Sequence, residues 1–166
     1  LTGGGYQMID MESRTACFTG HRELPADDLP EISKRLEDTL VKLIEQGYRY
    51  FGAGGALGFD TLAAQAVLRL RERYPQIRLI LVLPCLNQTR GWPQADIDTY
   101  EEIKRCADKV TYTSEHYFRG CMQKRNRHLV KNSSCCICYL TKESGGTKNT
   151  VDFAKTSGIE IVNLAK

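Results

Sequence analysis

Short apolar runs of strand length alternate along this chain with longer stretches whose apolar residues recur every three or four positions. The runs predict strands over Thr15–Thr19, Arg49–Ala53, Arg78–Leu83, Lys109–Thr113, Cys135–Leu140 and Glu160–Leu164. Between the first two, Ile32, Leu36, Leu40, Leu43 and Ile44 form one helical face that begins past Pro30 and stops at Gly47, a natural residue for the end of a helix. Leu62, Ala63, Ala66, Val67 and Leu70 mark a second helix, over Thr61–Arg73, ending before Pro75. Further helices fit Asp96–Cys106, Arg119–Lys131 and Asn149–Lys155. Strands separated by helices require crossover connections, and these are right-handed, so the pattern predicts an α/β, doubly wound, mainly parallel sheet of about six strands with helices on both faces. No internal repeat, low-complexity segment or linker divides it. One domain over residues 14–166 is expected.

Sheets of this kind bind ligands beyond the carboxyl ends of their strands, where the strand order reverses. Those ends carry Thr19-Gly20-His21-Arg22, Gly54-Gly55-Ala56-Leu57-Gly58, Pro84 through Trp92, and Glu143 through Thr150. The run from Gly54 to Asp60 lies between a strand and a helix. Its glycines permit positive φ and close backbone approach, and the N–H groups of a helix start favour an anion. It is neither the dinucleotide-binding nor the P-loop pattern and names no cofactor. The competing reading is a tight strand-to-helix turn with Asp60 serving the helix start.

Composition narrows the function classes. The 166 residues carry 23 basic and 20 acidic side chains, a net charge of +3 that is too slight to imply nucleic acid, and only Arg119–Lys131 is locally basic. The longest apolar run, Leu79–Leu83, is too short to span a bilayer. Seven cysteines, five of them in or beside strand-like runs, read as reduced thiols in a cytoplasm. Alternation puts Cys136 and Cys138 on one sheet face and Cys135 on the other. With no second CxxC or HxxxH, no metal site is expected. Leu1–Gln7 lacks the features of a secretory leader. Met8 or Met11 fits a natural initiator, and residues 1–13 read as an upstream start or appended tail outside the fold.

Two side chains on the basic helix need explaining. Met122 and Leu129 mark its inward stripe, and Arg125 and Asn126 fall on that stripe. A guanidinium facing inward needs a partner. Either it meets a phosphate, with Asn126 on a sugar hydroxyl or base edge, or it pairs with a carboxylate such as Asp60 or Glu143. Lys124, Arg127, His128 and Lys131 fall on the outer face as a solvated charge run. His21, without a visible nucleophile or aspartate partner, reads as an anion-binding loop histidine ahead of a catalytic acid. His116 has no role. Trp92 either stacks a base, with Gln88 reading its edge, or closes a hydrophobic lid.

The segments FTGHRELP, GGALGFDTLAAQA, LVLPCLNQTRGW, QKRNRHLVKNSS and SGGTKNT, in this order between strands, resemble the YpsA-like family of the SLOG superfamily over roughly Thr15–Leu164. That resemblance implies a bacterial, cytoplasmic protein with a Rossmann-like fold, akin to the single-stranded-DNA-binding core of DprA and to the LOG nucleotide hydrolases. It implies a pocket for a nucleotide or nucleotide-derived ligand, a possible sensor site, without specifying a reaction. The family's first loop matches Thr19, Gly20, His21 and Arg22, and its glycine turn matches Gly54, Gly55, Gly58 and Asp60, a turn shared with DprA-type proteins. The LOG signature is PGG-x-GT with a catalytic glutamate three residues after the threonine. Here the chain reads Ser144-Gly145-Gly146-Thr147-Lys148-Asn149-Thr150, and Phe153 stands at the glutamate position.

The expected ligand then lies with its phosphate on the glycine turns and Arg22 or Arg125, ribose on Asp60 or Asn126, and base on Trp92. The first alternative is a nucleotide N-glycosidase using Asp60 or Asp152. The second is single-stranded nucleic acid, for which Tyr117, Phe118 and Arg119 supply little. No cofactor is named by any motif, and the oligomeric state, a homo-oligomer included, stays open.

Overall fold

The computed structural model describes residues 11–165. The expected tail lies outside the described residues as far as residue 10. Met11–Ser13 are helical, and the Ser13 carbonyl accepts the Ser134 hydroxyl at 3.0 Å, which ties this end of the chain to the β-sheet.

Six strands form one parallel sheet: β1 (Thr15–Gly20), β2 (Tyr50–Ala53), β3 (Arg78–Leu83), β4 (Lys109–Tyr112), β5 (Cys135–Tyr139) and β6 (Glu160–Asn163), in the order β4-β3-β2-β1-β5-β6. The chain winds outward from β1 to β4, then crosses back to lay β5 against the free edge of β1. The reversal point is therefore the β1/β5 pair, with Thr19 beside Cys138 and Gly20 beside Tyr139. The helices are α1 (Leu29–Glu45), α2 (Phe59–Arg73), α3 (Gln94–Cys106), α4 (Cys121–Lys131) and α5 (Gly146–Thr156), with a 3-10 turn over Ala26–Asp28 before α1. Reversing the winding while keeping right-handed crossovers moves the later helices to the opposite face. Hence α1, α2 and α3 cover one face and α4 and α5 the other.

The first face holds the main core. Phe18, Phe51 and Phe59 are fully buried there against Leu36, Leu40, Val67 and Leu81, each large side chain contributing about 1.5–3 kcal/mol of burial. Along β5, Cys135 and Ile137 join this core while Cys136 and Cys138 face α4 and α5, as alternation predicts. Burial pushes the thiols of Cys135 and Cys138 up to about 12, so they pack as neutral groups. Among the described residues, α4 and α5 pack on the second face. Its β2–β4 half carries a groove of about 510 Å³ floored by Tyr50, Ile80 and Val82 and bordered by Met11 and Glu12.

The element boundaries differ from the sequence reading chiefly at helix starts. Gly47 does close α1: its φ is +101°, and the Tyr48 N–H reaches back to the Leu43 carbonyl at 3.0 Å. By contrast α2 begins two residues early, at Phe59, and α5 three early, at Gly146, so Asp60 and Thr147 lie in first helical turns. α4 begins at Cys121 because Gly120 adopts φ +99°.

Candidate functional site

The carboxyl ends of β1 and β5 and the starts of α2, α4 and α5 enclose a cleft of about 530 Å³ at the point where the winding reverses. Thr19, Gly20, His21, Arg22, Asp60, Arg125, Asn126, Gly145, Gly146 and Thr147 line it. Glu23, Ala56, Met122, Lys142 and Ser144 line it too, none of them assigned a ligand role from the sequence. Lys142 carried a usable signal: it stands just past the carboxyl end of a predicted strand.

Arg125 is the deepest charge. Helical spacing turns it inward from α4, and it is only 4% exposed. Its Nη1 donates to the Gly54 carbonyl, its Nε donates to Asn126 Oδ1 at 2.7 Å, and its Nη2 has only the Met122 sulfur, at 3.9 Å. Among the described residues no carboxylate comes within 4.0 Å of it, so neither Asp60 nor Glu143 forms the ion pair that sequence reasoning weighed. Burial pushes its pKa down from the usual arginine value, opposed by the charge of Asp60 and reinforced by the nearby Arg22 cation.

Asp60 is the matching anion, 6% exposed. Its Oδ2 accepts the Ala56 N–H at 3.2 Å, which closes the glycine turn, while Oδ1 is buried without a hydrogen-bond partner. The Gly54 N–H lies near enough to favour the charge without making that bond. Burial holds its pKa above the usual carboxylate value, with the Arg125 charge pulling it partly back. The cleft thus presents an under-used donor fork and an under-used acceptor side by side. Such a pair suits a ligand with both an anionic group and a hydroxyl.

The glycines divide by what surrounds them. A Cβ on Gly54 would lie 2.6 Å from the Arg125 guanidinium, one on Gly20 would meet the Phe59 ring at 2.5 Å, and one on Gly55 would strike Leu83 at 2.5 Å. These positions are small so that protein can pack against them. The first N–H of α2, on Phe59, is likewise taken by the His21 carbonyl at 3.1 Å, so the turn from Gly54 to Asp60 is built largely on internal contacts. Gly145 and Gly146, at the start of α5, face open space.

His21 Nε2 accepts the Thr141 N–H at 2.9 Å, joining the end of β1 to the end of β5 across the reversal point. That bond requires Nε2 to be unprotonated, so this nitrogen is an acceptor and is not available to donate to an anion. Burial, and secondarily the Lys142 charge, push its pKa below the ordinary 6.5. Between those two values the unfolded chain binds the proton more readily than the folded one. The associated stability is full above about pH 6.5 and is lost as pH falls below it. We expect the urea midpoint of the wild-type protein to drop on acidification through this range and the His21→Gln variant to drop less. Equal slopes would remove His21 as the cause.

Gly54, Gly55 and Gly58, all expected at the site, do not line the cleft, and three further expected residues lie elsewhere. Thr150 is buried one turn into α5, donates its hydroxyl to the Gly146 carbonyl at 2.9 Å, and borders a separate groove between α4 and α5. Gln88 and Trp92 line a neighbouring compartment with Arg22 and Met122. There Trp92 packs edge-on against Tyr100, ring centres 5.5 Å apart, and against the core. Of the carboxylates weighed for catalysis, Asp152 is paired with Lys148 at 2.6 Å and borders the α4/α5 groove with Phe153.

The YpsA family model, described as the YspA SLOG family, matches residues 17–160. The chain belongs to this SLOG family. Among curated relatives, a UPF0398 protein of Halalkalibacterium halodurans is 30% identical over 118 residues, covering 70% of this chain and 62% of the relative. One from Brevibacillus brevis is 29% identical over 118 residues, covering 70% and 63%. The chain therefore spans less than two thirds of the length of these two relatives. Among solved structures, DNA processing protein A from Streptococcus pneumoniae superposes with a TM-score of 0.67 at 18% identity, over 91% of this chain and 50% of that one. The Helicobacter pylori protein, described for its single-stranded DNA binding mode, superposes with a TM-score of 0.64 at 17% identity, over 93% and 66%. At these identities the likeness shows a shared fold and nothing further.

Proposed function

We propose that this SLOG domain binds a nucleotide or nucleotide-derived ligand in the cleft at the β1/β5 reversal. The observation that carries this reading is the buried Arg125 guanidinium, with no carboxylate partner, beside the buried and unpartnered Oδ1 of Asp60. A phosphate satisfies Arg125, with Arg22, Lys142 and the open start of α5 at Gly145 and Gly146 on its other side. A ribose hydroxyl donating to Asp60 Oδ1 satisfies the carboxylate. Among the described residues no helix is long and apolar enough to cross a membrane, and the reduced, packed cysteines support a cytoplasmic setting.

A thermal-shift screen against mononucleotides, NAD, ADP-ribose and cyclic dinucleotides tests the reading. A ligand at a hundred times its dissociation constant adds about 2.7 kcal/mol to stability. No shift with any phosphate-bearing compound at millimolar concentration would count against it.

Turnover is a separate matter. With Phe153 at the LOG glutamate position and Asp152 outside the cleft, Asp60 is the remaining carboxylate among those weighed, and burial disfavours the charged form an oxocarbenium centre needs. AMP incubated with the protein is expected to release no adenine at an ordinary enzymatic rate of roughly 1 per second. Chromatography of the products checks this, and rapid adenine release would restore the glycosidase reading.

A second reading, single-stranded nucleic acid, draws on the exposed Phe118 and Tyr117, the latter lining the compartment beside the cleft, and on the fold shared with DNA processing protein A. Titration with a labelled deoxyoligonucleotide at several salt concentrations tests it, since phosphate contacts impose a steep salt dependence.

A further inference from the structure

The cleft does not end at Arg22. On the far side of Arg22 and Met122, which line both spaces, lies a second compartment of about 480 Å³ bordered by Asn87, Gln88, Arg90, Trp92 and Tyr117. Each compartment alone is within the roughly 300–1,000 Å³ of small-molecule sites, so a mononucleotide fills one and leaves the other empty.

The second compartment is built for a ligand of its own. Gln88 is 7% exposed; its Oε1 accepts the Tyr100 hydroxyl at 3.3 Å, while its Nε2 is buried without a partner. A buried donor of this kind is costly unless an acceptor reaches it. None of the lining residues is acidic, and Trp92 and Tyr117 add aromatic surface. Arg22 stands between this space and Arg125, close enough for the two cations to repel. On the first side Asp60 and Glu23 offset part of the charge of Arg125 and Arg22, whereas on the second side Arg22 and Arg90 meet no carboxylate among the lining residues, so the positive excess lies at and beyond the junction.

Resting on the proposed nucleotide-binding reading, we infer that the ligand is two-headed: a pyrophosphate-linked nucleotide. One ribose phosphate lies by Arg125 and Asp60, the diphosphate spans the junction at Arg22, and a second head with a hydrogen-bond acceptor lies against Gln88 Nε2. Arg90 flanks that head.

Isothermal titration of the full chain with ribose 5-phosphate, AMP and ADP-ribose decides the matter. ADP-ribose is expected to bind at least tenfold more tightly than either smaller probe. In Arg90→Ala, an exposed substitution that should not disturb folding, and in Gln88→Ala, that advantage should shrink about tenfold. If ribose 5-phosphate or AMP binds and ADP-ribose gains nothing, or if Arg90→Ala leaves the advantage intact, the two-headed inference fails while the cleft reading stands. If none of the three probes binds, the cleft reading fails and this inference with it. A single-stranded deoxyoligonucleotide binding more tightly than ADP-ribose, with the same dependence on Arg90, would overturn the inference in favour of nucleic acid.

Discussion

Arg125→Ala is expected to weaken binding of whichever ligand the thermal-shift screen finds by about 2–4 kcal/mol, the usual loss when one partner of a buried, hydrogen-bonded charge pair is truncated. The effect on the empty protein is set by what the guanidinium touches now. It is buried, not solvated, and it holds the Gly54 carbonyl and Asn126 Oδ1, so truncation strands acceptors at about 1–3 kcal/mol. That is less than the roughly 3–5 kcal/mol expected for breaking a buried ion pair, since among the described residues no carboxylate lies within 4.0 Å of Arg125. Arg125→Lys retains the charge but not the fork, and should recover only part of the affinity. Urea unfolding of the unliganded variants together with a binding titration separates the two effects. Unchanged affinity in Arg125→Ala would remove this residue from the site.

Gly58→Ala should cost more stability than any other glycine substitution around the cleft, about 3–5 kcal/mol. Gly58 has φ +78°, where side chains are strained by about 1–3 kcal/mol, and an added Cβ would lie 2.5 Å from the His21 carbonyl oxygen and nearer still to that of Arg22. Both atoms are backbone, so neither can swing aside. The segment must move as a whole, carrying Arg22 out of the cleft and breaking the bond from the Phe59 N–H to the His21 carbonyl. Against a total of about 5–15 kcal/mol the loss would be severe. Gly146→Ala is the contrast: nothing lies within 4 Å of the added atom, and stability should barely change. Chemical denaturation of the two variants checks this. A Gly58→Ala protein as stable as the wild type would mean that the β1 loop is free to rearrange.

What the chain alone made legible was what depends on neighbours in sequence. Alternation along Cys135–Tyr139 assigned each cysteine to its sheet face, and the helical period turned Arg125 inward. Because ligands gather at strand carboxyl ends, the same reading located the cleft's first loop and the turn at Gly145. The order of FTGHRELP, GGALGFDTLAAQA and the later segments was enough to suggest the SLOG family that the family match shows.

Partners of buried polar groups were not legible, because they lie far apart in the chain and meet only when the sheet closes. Arg125 rests on a carbonyl 71 residues away, and His21 accepts an N–H 120 residues away. Sequence patterns report whether a side chain faces inward; they carry no information about which acceptor waits there. For the same reason Asp60 was open to service at the helix start or to an ion pair; it lies in the first turn of α2 and closes the glycine turn through Ala56, forms no ion pair with Arg125, and keeps one oxygen unsatisfied. Thr150 lies off the cleft because it sits one turn into α5, with its hydroxyl turned back to the Gly146 carbonyl. Periodicity thus determined the layers and the inward faces of this protein. The closure of β1 against β5 decided which inward groups are satisfied, and so which are left to meet a ligand.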